Sequence, residues 1–295
     1  MNTHCFFALA LAVLLISCKG NGDKSDAYGN FETDETIVSS EVNGQLVTLS
    51  ADLGDRVKKG ELLAMVDTTR LSLQIEQLEA QRKSVNTKKV NVRAQVNVLK
   101  QQMRNRKIKQ DRIHHLFADK AATRQQVDDV DGQMLVMEKQ LLELNTQYIS
   151  INSDRNVLDA QLAVMKNKWQ KCFVESPMSG VVLEKYAEPG EIVSSARAIV
   201  KLGDLSELNL RVYVSGAQLP SVKLGQRVQV LIDKDKKRNQ SLTGVISWIS
   251  SEAEFTPKII QTKEERVKLV YAVKVRVKND GRLKIGMPGE VRFLR

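Results

Sequence analysis

The 295-residue sequence predicts an α+β protein: a long antiparallel α-helical hairpin inserted in a small β-sandwich, followed by a small antiparallel β-barrel. Three observations predict this fold. A short glycine-containing motif occurs twice, at residues 42–67 and 178–204, and the two copies align without a gap. A heptad pattern of apolar residues fills the segment between the copies, and residues of alternating polarity fill the last third of the chain.

The N-terminal residues are predicted to target and anchor the chain. The apolar run at 6–16 is too short to span a bilayer, but it suits the hydrophobic region of a signal peptide. It ends in LISC, which resembles the lipobox of bacterial lipoproteins, so we expect a signal peptide at 1–17 and a lipid on Cys18. An ordinary cleaved signal that happens to contain Cys18 is the alternative. Glycine, aspartate and serine then predict a tether over residues 18–35.

The two copies of the motif are predicted to be the two halves of one β-sandwich. Each copy contains a turn, LGD or PGE, in which Gly54 or Gly190 supplies backbone freedom. Apolar residues alternate around each turn, as they do in a half-buried strand. A hairpin inserted between residues 36–70 and 171–205 would bring the two halves together.

Residues 71–170 are predicted to form that hairpin. Apolar residues recur every seven positions on both sides of FADKAATRQ, and Gly132 is the only glycine between residues 69 and 176, where proline is absent. Two helices of about 45 residues would each be about 70 Å long at the α-helical rise per residue. Thr123 followed three residues later by Gln126 predicts a capping box at the start of the second helix.

Residues 206–295 are predicted to form the barrel. Alternating polar and apolar residues indicate strands at LNLRVYV, QRVQVLI, TGVISWIS, YAVKVRV and GEVRFL. About five or six such strands with polar turns are typical of a small antiparallel barrel.

The formal net charge of +10 favours an anionic partner, and basic residues cluster between Arg82 and Arg112. Nucleic acid is nevertheless not expected as a partner, because a signal peptide takes the chain out of the cytosol and no recognition module is apparent. We expect a solvated helix face, or one attracted to an acidic protein surface.

No catalytic or metal-binding constellation is apparent in the mature region, so we expect no enzymatic activity, no cofactor and no metal. His114 and His115 are adjacent and would point about 100° apart on a helix. Cys172 is the one cysteine left after removal of the signal and lipidation, so we expect no internal disulfide and a buried thiol. The methionines on heptad positions are expected in the core rather than in a metal site: Met103, Met134, Met137 and Met165.

The order of lipobox, half-motif, hairpin, matching half-motif and barrel resembles the periplasmic adaptor subunits, or membrane fusion proteins, of the HlyD-like family. The half-motif is similar to the lipoyl/biotinyl carrier fold. The segment 255–291 resembles the family's barrel, in particular that of the branch associated with ATP-binding-cassette (ABC) exporters. The resemblance implies an adaptor between an inner-membrane ABC transporter and a TolC-like outer-membrane channel. It also implies a homo-oligomeric ring of six copies, lipid-anchored in the periplasm on the inner membrane of a Gram-negative bacterium.

The resemblance further implies a docking site at the tip of the hairpin. The family carries an arginine there, a leucine four residues later and a serine seven residues beyond. The matching positions are Arg112, Leu116 and Thr123, where threonine replaces serine but keeps the hydroxyl. By resemblance these residues dock into the channel's intermesh grooves. Capping alone would also account for Thr123, Leu116 could only close the hairpin, and Arg112 could be a solvated charge.

Other interpretations remain open at this point. A proton-driven pump could replace the ABC exporter as the partner, and a purely structural coiled-coil envelope lipoprotein is a remote alternative. A lipoyl or biotinyl carrier domain would present a lysine between its halves, where this chain has the coiled coil instead. The family's membrane-proximal domain is expected to be absent or minimal, which would leave the barrel and the tether facing the transporter.

Overall fold

The computed structural model describes residues 25–235, 238–255 and 269–293, so the predicted signal peptide and Cys18 lie outside the described residues. Contacts divide the chain into two compact units. One unit contains residues 37–178 and 184–201, and the other contains the described parts of residues 1–36, 179–183 and 202–295.

Two long helices, fifteen strands and one short 3₁₀ helix (Leu219–Ser221) make up the regular structure of the described residues. In chain order they are β1 (Ala27–Glu32), β2 (Glu35–Ser39), β3 (Gly44–Leu49), β4 (Arg56–Val57), β5 (Leu62–Val66), α1 (Thr69–Ala118), α2 (Arg124–Gln170), β6 (Phe173–Glu175), β7 (Gly180–Lys185), β8 (Ile192–Val193), β9 (Ala198–Gly203), β10 (Glu207–Ser215), β11 (Arg227–Asp235), β12 (Arg238–Ile249), β13 (Glu254–Phe255), β14 (Leu269–Lys278) and β15 (Pro288–Phe293).

The helices α1 and α2 pack along the seam that the heptad pattern predicted. The apolar heptad positions are buried or half-buried, and Phe117 beside the turn is the exception. Burial of these side chains is what makes such long helices stable, because helix propensity alone contributes little. The helical hairpin predicted from the sequence is therefore confirmed. The fully buried seam residues are Val92, Val96, Leu99, Val127, Val130, Met134, Ile151 and Leu162.

Polar side chains interrupt the seam in the half nearer to the sandwich-forming segments. Lys89 Nζ donates to Asn152 Oδ1 at 2.9 Å, and Arg82 forms an ion pair with Asp159 at 3.3 Å. A hydrogen bond from Arg155 is the largest cause of the lowered pKa of Asp159. Because a slip along the seam would leave these groups without partners, they specify the register of the hairpin.

The two motif copies form one sandwich of two four-stranded sheets, with strand orders β2-β9-β7-β4 and β6-β5-β3-β8. Each sheet contains strands from both copies, and β3 pairs antiparallel with β8 through Gly44 and Val193. Gly54 and Gly190 have φ angles of +89° and +96°, so both turns use the left-handed backbone region that favours glycine. The predicted assembly of two half-motifs into one sandwich is confirmed.

A closed six-stranded barrel forms the second module. Each of its strands pairs with two neighbours around the ring β1-β15-β11-β12-β14-β10, and β10 pairs back to β1. Closure leaves the ring with no unpaired edge, which removes a surface prone to strand-mediated aggregation. Residues of alternating polarity put an apolar side chain into the core at every second position, including Leu208, Leu210, Val212 and Val214 of β10.

The N-terminal strand of this barrel corrects the predicted tether. We expected a tether over residues 18–35, but Ala27–Glu32 form β1, which pairs with β10 and β15 and closes the ring. Ala27 and Phe31 are each only 1% exposed. A Cβ at Gly29 would lie 1.7 Å from the carbonyl oxygen of Arg211, so the strand needs glycine for close approach. Gly29, a residue type that suggested a tether, therefore serves a packed strand.

Candidate functional site: the hairpin tip

The tip is a short turn that closes tightly on the end of α1. Lys120 has a φ of +58°, and its backbone N–H donates to the Phe117 carbonyl at 3.0 Å. The Ala121 N–H donates to the Leu116 carbonyl at 2.7 Å. These bonds satisfy carbonyl groups that the end of a helix leaves without partners. The tip backbone is therefore fixed by its own hydrogen bonds.

Thr123 begins α2 as its N-cap, as the sequence predicted. Its side-chain oxygen accepts from the Gln126 N–H at 3.3 Å, and the Thr123 N–H donates to Gln126 Oε1 at 2.8 Å. Both bonds of the capping box are therefore present. A threonine hydroxyl that accepts a bond still has its O–H to donate, so capping is compatible with a contact to a partner.

Leu116 presents an apolar surface at the end of α1. Its neighbour Phe117 does the same, and each side chain is 38% exposed. Phe117 occupies a heptad position, yet the buried seam ends before it and leaves its ring partly uncovered. A heptad break next to a turn is the sequence signal that could have identified it. The two adjacent side chains make the tip more apolar than a solvated turn needs to be.

Arg112 lies one helical turn before Leu116, on the same face of α1. Its side chain is exposed. The nearby acid, Asp111, is paired with Lys107 at 2.9 Å. Among the described residues, the structure shows no hydrogen bond or ion pair for the Arg112 guanidinium, so its planar donor fork is available to a carboxylate or carbonyl of another molecule.

A polar network that the sequence did not predict braces the two helices behind the tip. His114 Nε2 lies 2.8 Å from Asp131 Oδ1, and Gln110 Nε2 donates to the same oxygen at 2.7 Å. The bond to His114 is the largest cause of the lowered pKa of Asp131, followed by that to Gln110. The network ties α1 to α2 and thereby holds Arg112 and Leu116 in position relative to the start of α2.

Around its rigid turn the tip offers a cation and two apolar side chains at the end of α1 and a hydroxyl at the start of α2, which suits docking. Within the described ranges, no group of three or more His, Cys, Asp or Glu residues could hold a metal ion. The helices in the same ranges contain no stretch long and apolar enough to cross a membrane.

Cys172 is buried, and burial raises the pKa of its thiol.

Comparison with known proteins identifies the two β modules. Residues 35–202 match the family described as "RND MFP, barrel-sandwich hybrid domain", where MFP denotes membrane fusion protein, and this match covers more than half of the chain. Residues 204–294 match the "LcnD-like, C-terminal domain". The boundary between the matches falls at the end of β9, where the sandwich gives way to the barrel strands.

Two similar curated proteins align over most of this chain. A UPF0194 membrane protein from the asrC 5' region of Acidithiobacillus ferridurans is 29% identical over 88% of this chain and 84% of its own length. A UPF0194 membrane protein of Yersinia enterocolitica is 26% identical over 100% of this chain and 99% of its own.

Solved structures share the fold. MacA from Actinobacillus actinomycetemcomitans superposes with a TM-score of 0.67 and 21% identity, over 90% of this chain and 76% of that one. The membrane fusion protein Spr0693 from Streptococcus pneumoniae R6 gives a TM-score of 0.53 and 18% identity, over 91% and 98% of the two chains. The match over residues 35–202 shows that the chain belongs to the membrane fusion protein family.

Proposed function

We propose that this protein is the periplasmic adaptor that links an inner-membrane ABC exporter to a TolC-like outer-membrane channel. The observation that carries the proposal is the rigid hairpin tip, which presents Arg112 and Leu116 at the end of α1 and Thr123 at the start of α2. The protein acts by geometry rather than by catalysis. It docks on the channel, seals the path for cargo and transmits the transporter's cycle, while the transporter supplies the energy.

The chemistry of the tip fits a groove between channel helices. Arg112 can form two parallel hydrogen bonds with one carboxylate, and a planar fork gives such a contact direction as well as energy. Leu116 and Phe117 would lose the water around their exposed surface on docking, which favours association. Because the turn is already held by its own hydrogen bonds, docking costs little ordering of the backbone.

Lateral association of several copies completes the proposal. The exposed apolar residues Leu135, Leu142 and Ile149 recur every seven positions along α2, so they lie in one stripe on the outside of the hairpin. Twelve Lys and Arg against three Asp and Glu make α1 basic, whereas α2 has five against seven. Contact between the basic α1 of one copy and the striped α2 of the next is heterologous, and repeated contacts of this kind close a ring when the rotation between neighbouring copies divides a full turn evenly. We propose six copies in the ring.

We place the protein in the periplasm of a Gram-negative bacterium, anchored to the inner membrane through a lipid on Cys18. Metabolic labelling with a radioactive fatty acid tests this anchor. The wild-type chain should take up the label and the Cys18→Ala chain should not. Equal labelling of both chains would contradict the anchor.

The energy source has two candidates. The similarity of segment 255–291 to the barrel of ABC-associated adaptors favours the ABC exporter. The description of the family matched by residues 35–202 names the RND class, and this favours a proton-driven pump as the second candidate. Affinity purification of the adaptor in mild detergent, followed by mass spectrometry of inner-membrane partners, separates the two. An ATPase with its permease supports the first candidate, and a pump without an ATPase supports the second.

The tip assignment is tested by a charge reversal with a matched control. We expect Arg112→Asp to reduce co-purification of the outer-membrane channel at least about tenfold, since a charged bidentate contact is worth more than 1.4 kcal/mol. Lys284→Asp makes the same charge change on the exposed turn before β15, outside the hairpin, and should leave the yield of channel unchanged. Equal yields for both variants would contradict docking through Arg112.

A further inference from the structure

One end of the barrel carries a group of exposed apolar and aromatic side chains. Tyr28 is 55% exposed, Leu224 70%, Trp248 42% and Leu269 52%. A side chain of this size is costly to leave in water, and several together mark a contact surface rather than chance exposure.

Strand register places these four residues toward the end of the barrel where β1 and β14 begin, at different distances from it. Tyr28, near the start of β1, pairs with Tyr213 near the end of β10. The last residue of β10 lies opposite the second residue of β14, whose first residue is Leu269. Leu224 belongs to the turn before β11, and the N–H of the next residue, Gly225, donates to the Ile246 carbonyl. Trp248, the penultimate residue of β12, pairs with Lys274, five residues along β14 from Leu269, so it lies farther from this end than Leu269 does.

The described chain also begins at this end, and its first residues are held there. The Gln218 side chain donates to the Asp26 carbonyl at 2.9 Å. The Phe293 N–H donates to Asp26 Oδ2 at 2.8 Å. The point at which the N-terminal segment leaves the barrel is therefore fixed, next to the exposed apolar group.

The spacing to the proposed anchor is short. Cys18 precedes Ser25 by seven residues, which can span at most about 25 Å when fully extended. A lipid on Cys18 keeps this end of the barrel within that distance of the bilayer surface. The exposed apolar side chains and the lipid on Cys18 would therefore both lie close to the bilayer surface.

We propose that this end of the barrel rests on the lipid surface, with Trp248 and Tyr28 at the headgroup level and Leu224 and Leu269 at the acyl boundary. The proposal rests on the anchored location given under Proposed function. Tryptophan and tyrosine suit this position because their rings are apolar and their N–H or O–H can contact headgroups. Surface-bound proteins that bury apolar side chains in this way bind in proportion to the area buried.

Charge contributes little to this contact. Lys223 and Arg227 lie near the apolar group, but so do the acidic residues Asp26 and Glu252. Glu254 is paired with Arg211 at 2.8 Å. Among the described residues at this end the charges nearly cancel, so the described surface offers apolar burial rather than a charged patch.

The test uses the chain from residue 19 to 295, which lacks the proposed lipid, so that binding reports on the barrel and not on the anchor. Trp169→Phe leaves Trp248 as the only tryptophan, and its fluorescence then reports its own surroundings. The probes are vesicles of phosphatidylcholine alone and of phosphatidylethanolamine with phosphatidylglycerol. We expect a blue shift of the Trp248 emission with both vesicles, and quenching by lipids brominated on the acyl chain.

Two variants and a matched control locate the contact. Leu224→Ser and Leu269→Ser should each weaken vesicle binding about tenfold, because each removes an apolar side chain from the buried area. Ile285→Ser removes an apolar side chain that is 42% exposed in the turn before β15, at the other end of the barrel, and should bind as the parent does. Thermal unfolding of each variant shows whether it is folded.

An unshifted Trp248 emission, or equal losses in all three variants, would overturn the proposal. Capture of a transporter subunit by a photo-crosslinker at position 248 without any vesicle binding would also overturn it, and would assign this end to a protein partner. Docking of the hairpin tip is measured separately through the Arg112 variant, so failure here leaves that result standing.

Discussion

Gly29→Ala tests the closure of the barrel by its N-terminal strand. A Cβ at position 29 would lie 1.7 Å from the Arg211 carbonyl oxygen and 2.8 Å from Val212 Cα. A non-bonded carbon and oxygen need about 3.3 Å, so β1 and β10 would have to separate by about 1.5 Å. Backbone hydrogen bonds of ordinary length do not survive such a separation.

The magnitude follows from what this separation disrupts. Overpacking alone costs about 1–3 kcal/mol, and each backbone hydrogen bond lost between the strands adds about 1 kcal/mol. We expect Gly29→Ala to lower the free energy of barrel unfolding by about 3 kcal/mol or more. This free energy is measured by urea denaturation monitored through Trp248 fluorescence in the Trp169→Phe background, because Trp248 lies in the barrel.

Gly216→Ala is the matched control for this prediction. It makes the same change in the same module, but the new Cβ would be 3.9 Å from Tyr271 Cε2, which is an ordinary contact. We expect its unfolding free energy to stay within about 0.5 kcal/mol of the parent value. If Gly29→Ala were as stable as Gly216→Ala, the close packing of β1 against β10 would be refuted.

Three further predictions concern the unit that contains the hairpin. Gly132→Ala should stabilise α2 by about 0.5–1 kcal/mol in urea denaturation, since a Cβ there meets nothing within 4 Å; a loss of stability would contradict the exposed helical position. Cys172 should react with a thiol reagent only after denaturation, because burial raises the pKa of its thiol; rapid labelling of the native protein would contradict its burial. Asp131 and Asp159 have lowered pKa values in the folded state, so they stabilise the hairpin above the unfolded pKa of about 4, and thermal stability should fall as the pH drops through and below that value. Asp131→Asn should melt at a lower temperature than the parent at pH 7 and depend less on acid; an unchanged acid profile would contradict the role of the Gln110 and His114 bonds.

The hairpin was predictable from the sequence because its core repeats along one helix pair. The heptad spacing alone predicts which residues of each helix are buried. Thr123 and Gln126 mark the start of the second helix, so the sequence also predicts that the two apolar seams face each other across a turn. The barrel strands from β10 onward were predictable for a similar reason. Polar and apolar residues alternate within each strand, as in YAVKVRV, so each strand can be recognised from its own sequence.

The closing strand β1 was not predictable in the same way. Its partners lie more than 170 residues away, and Gly29 is selected by an approach of β10 that no local pattern records. The bracing network behind the tip was missed for a related reason. Gln110, His114 and Asp131 meet only once the register of two antiparallel helices is known, and polar residues at flanking positions look the same whether they are bonded or solvated.

Photo-crosslinking from the hairpin tip in living cells tests the central claim most directly. A photoreactive amino acid would replace Leu116, and the same replacement at Lys100 on the exposed face of α1 is the control. The account predicts a covalent adduct with an outer-membrane channel protein from position 116, much reduced at position 100. Adducts that are absent from position 116, or equally abundant from both positions, would contradict an adaptor that docks through the tip of its hairpin.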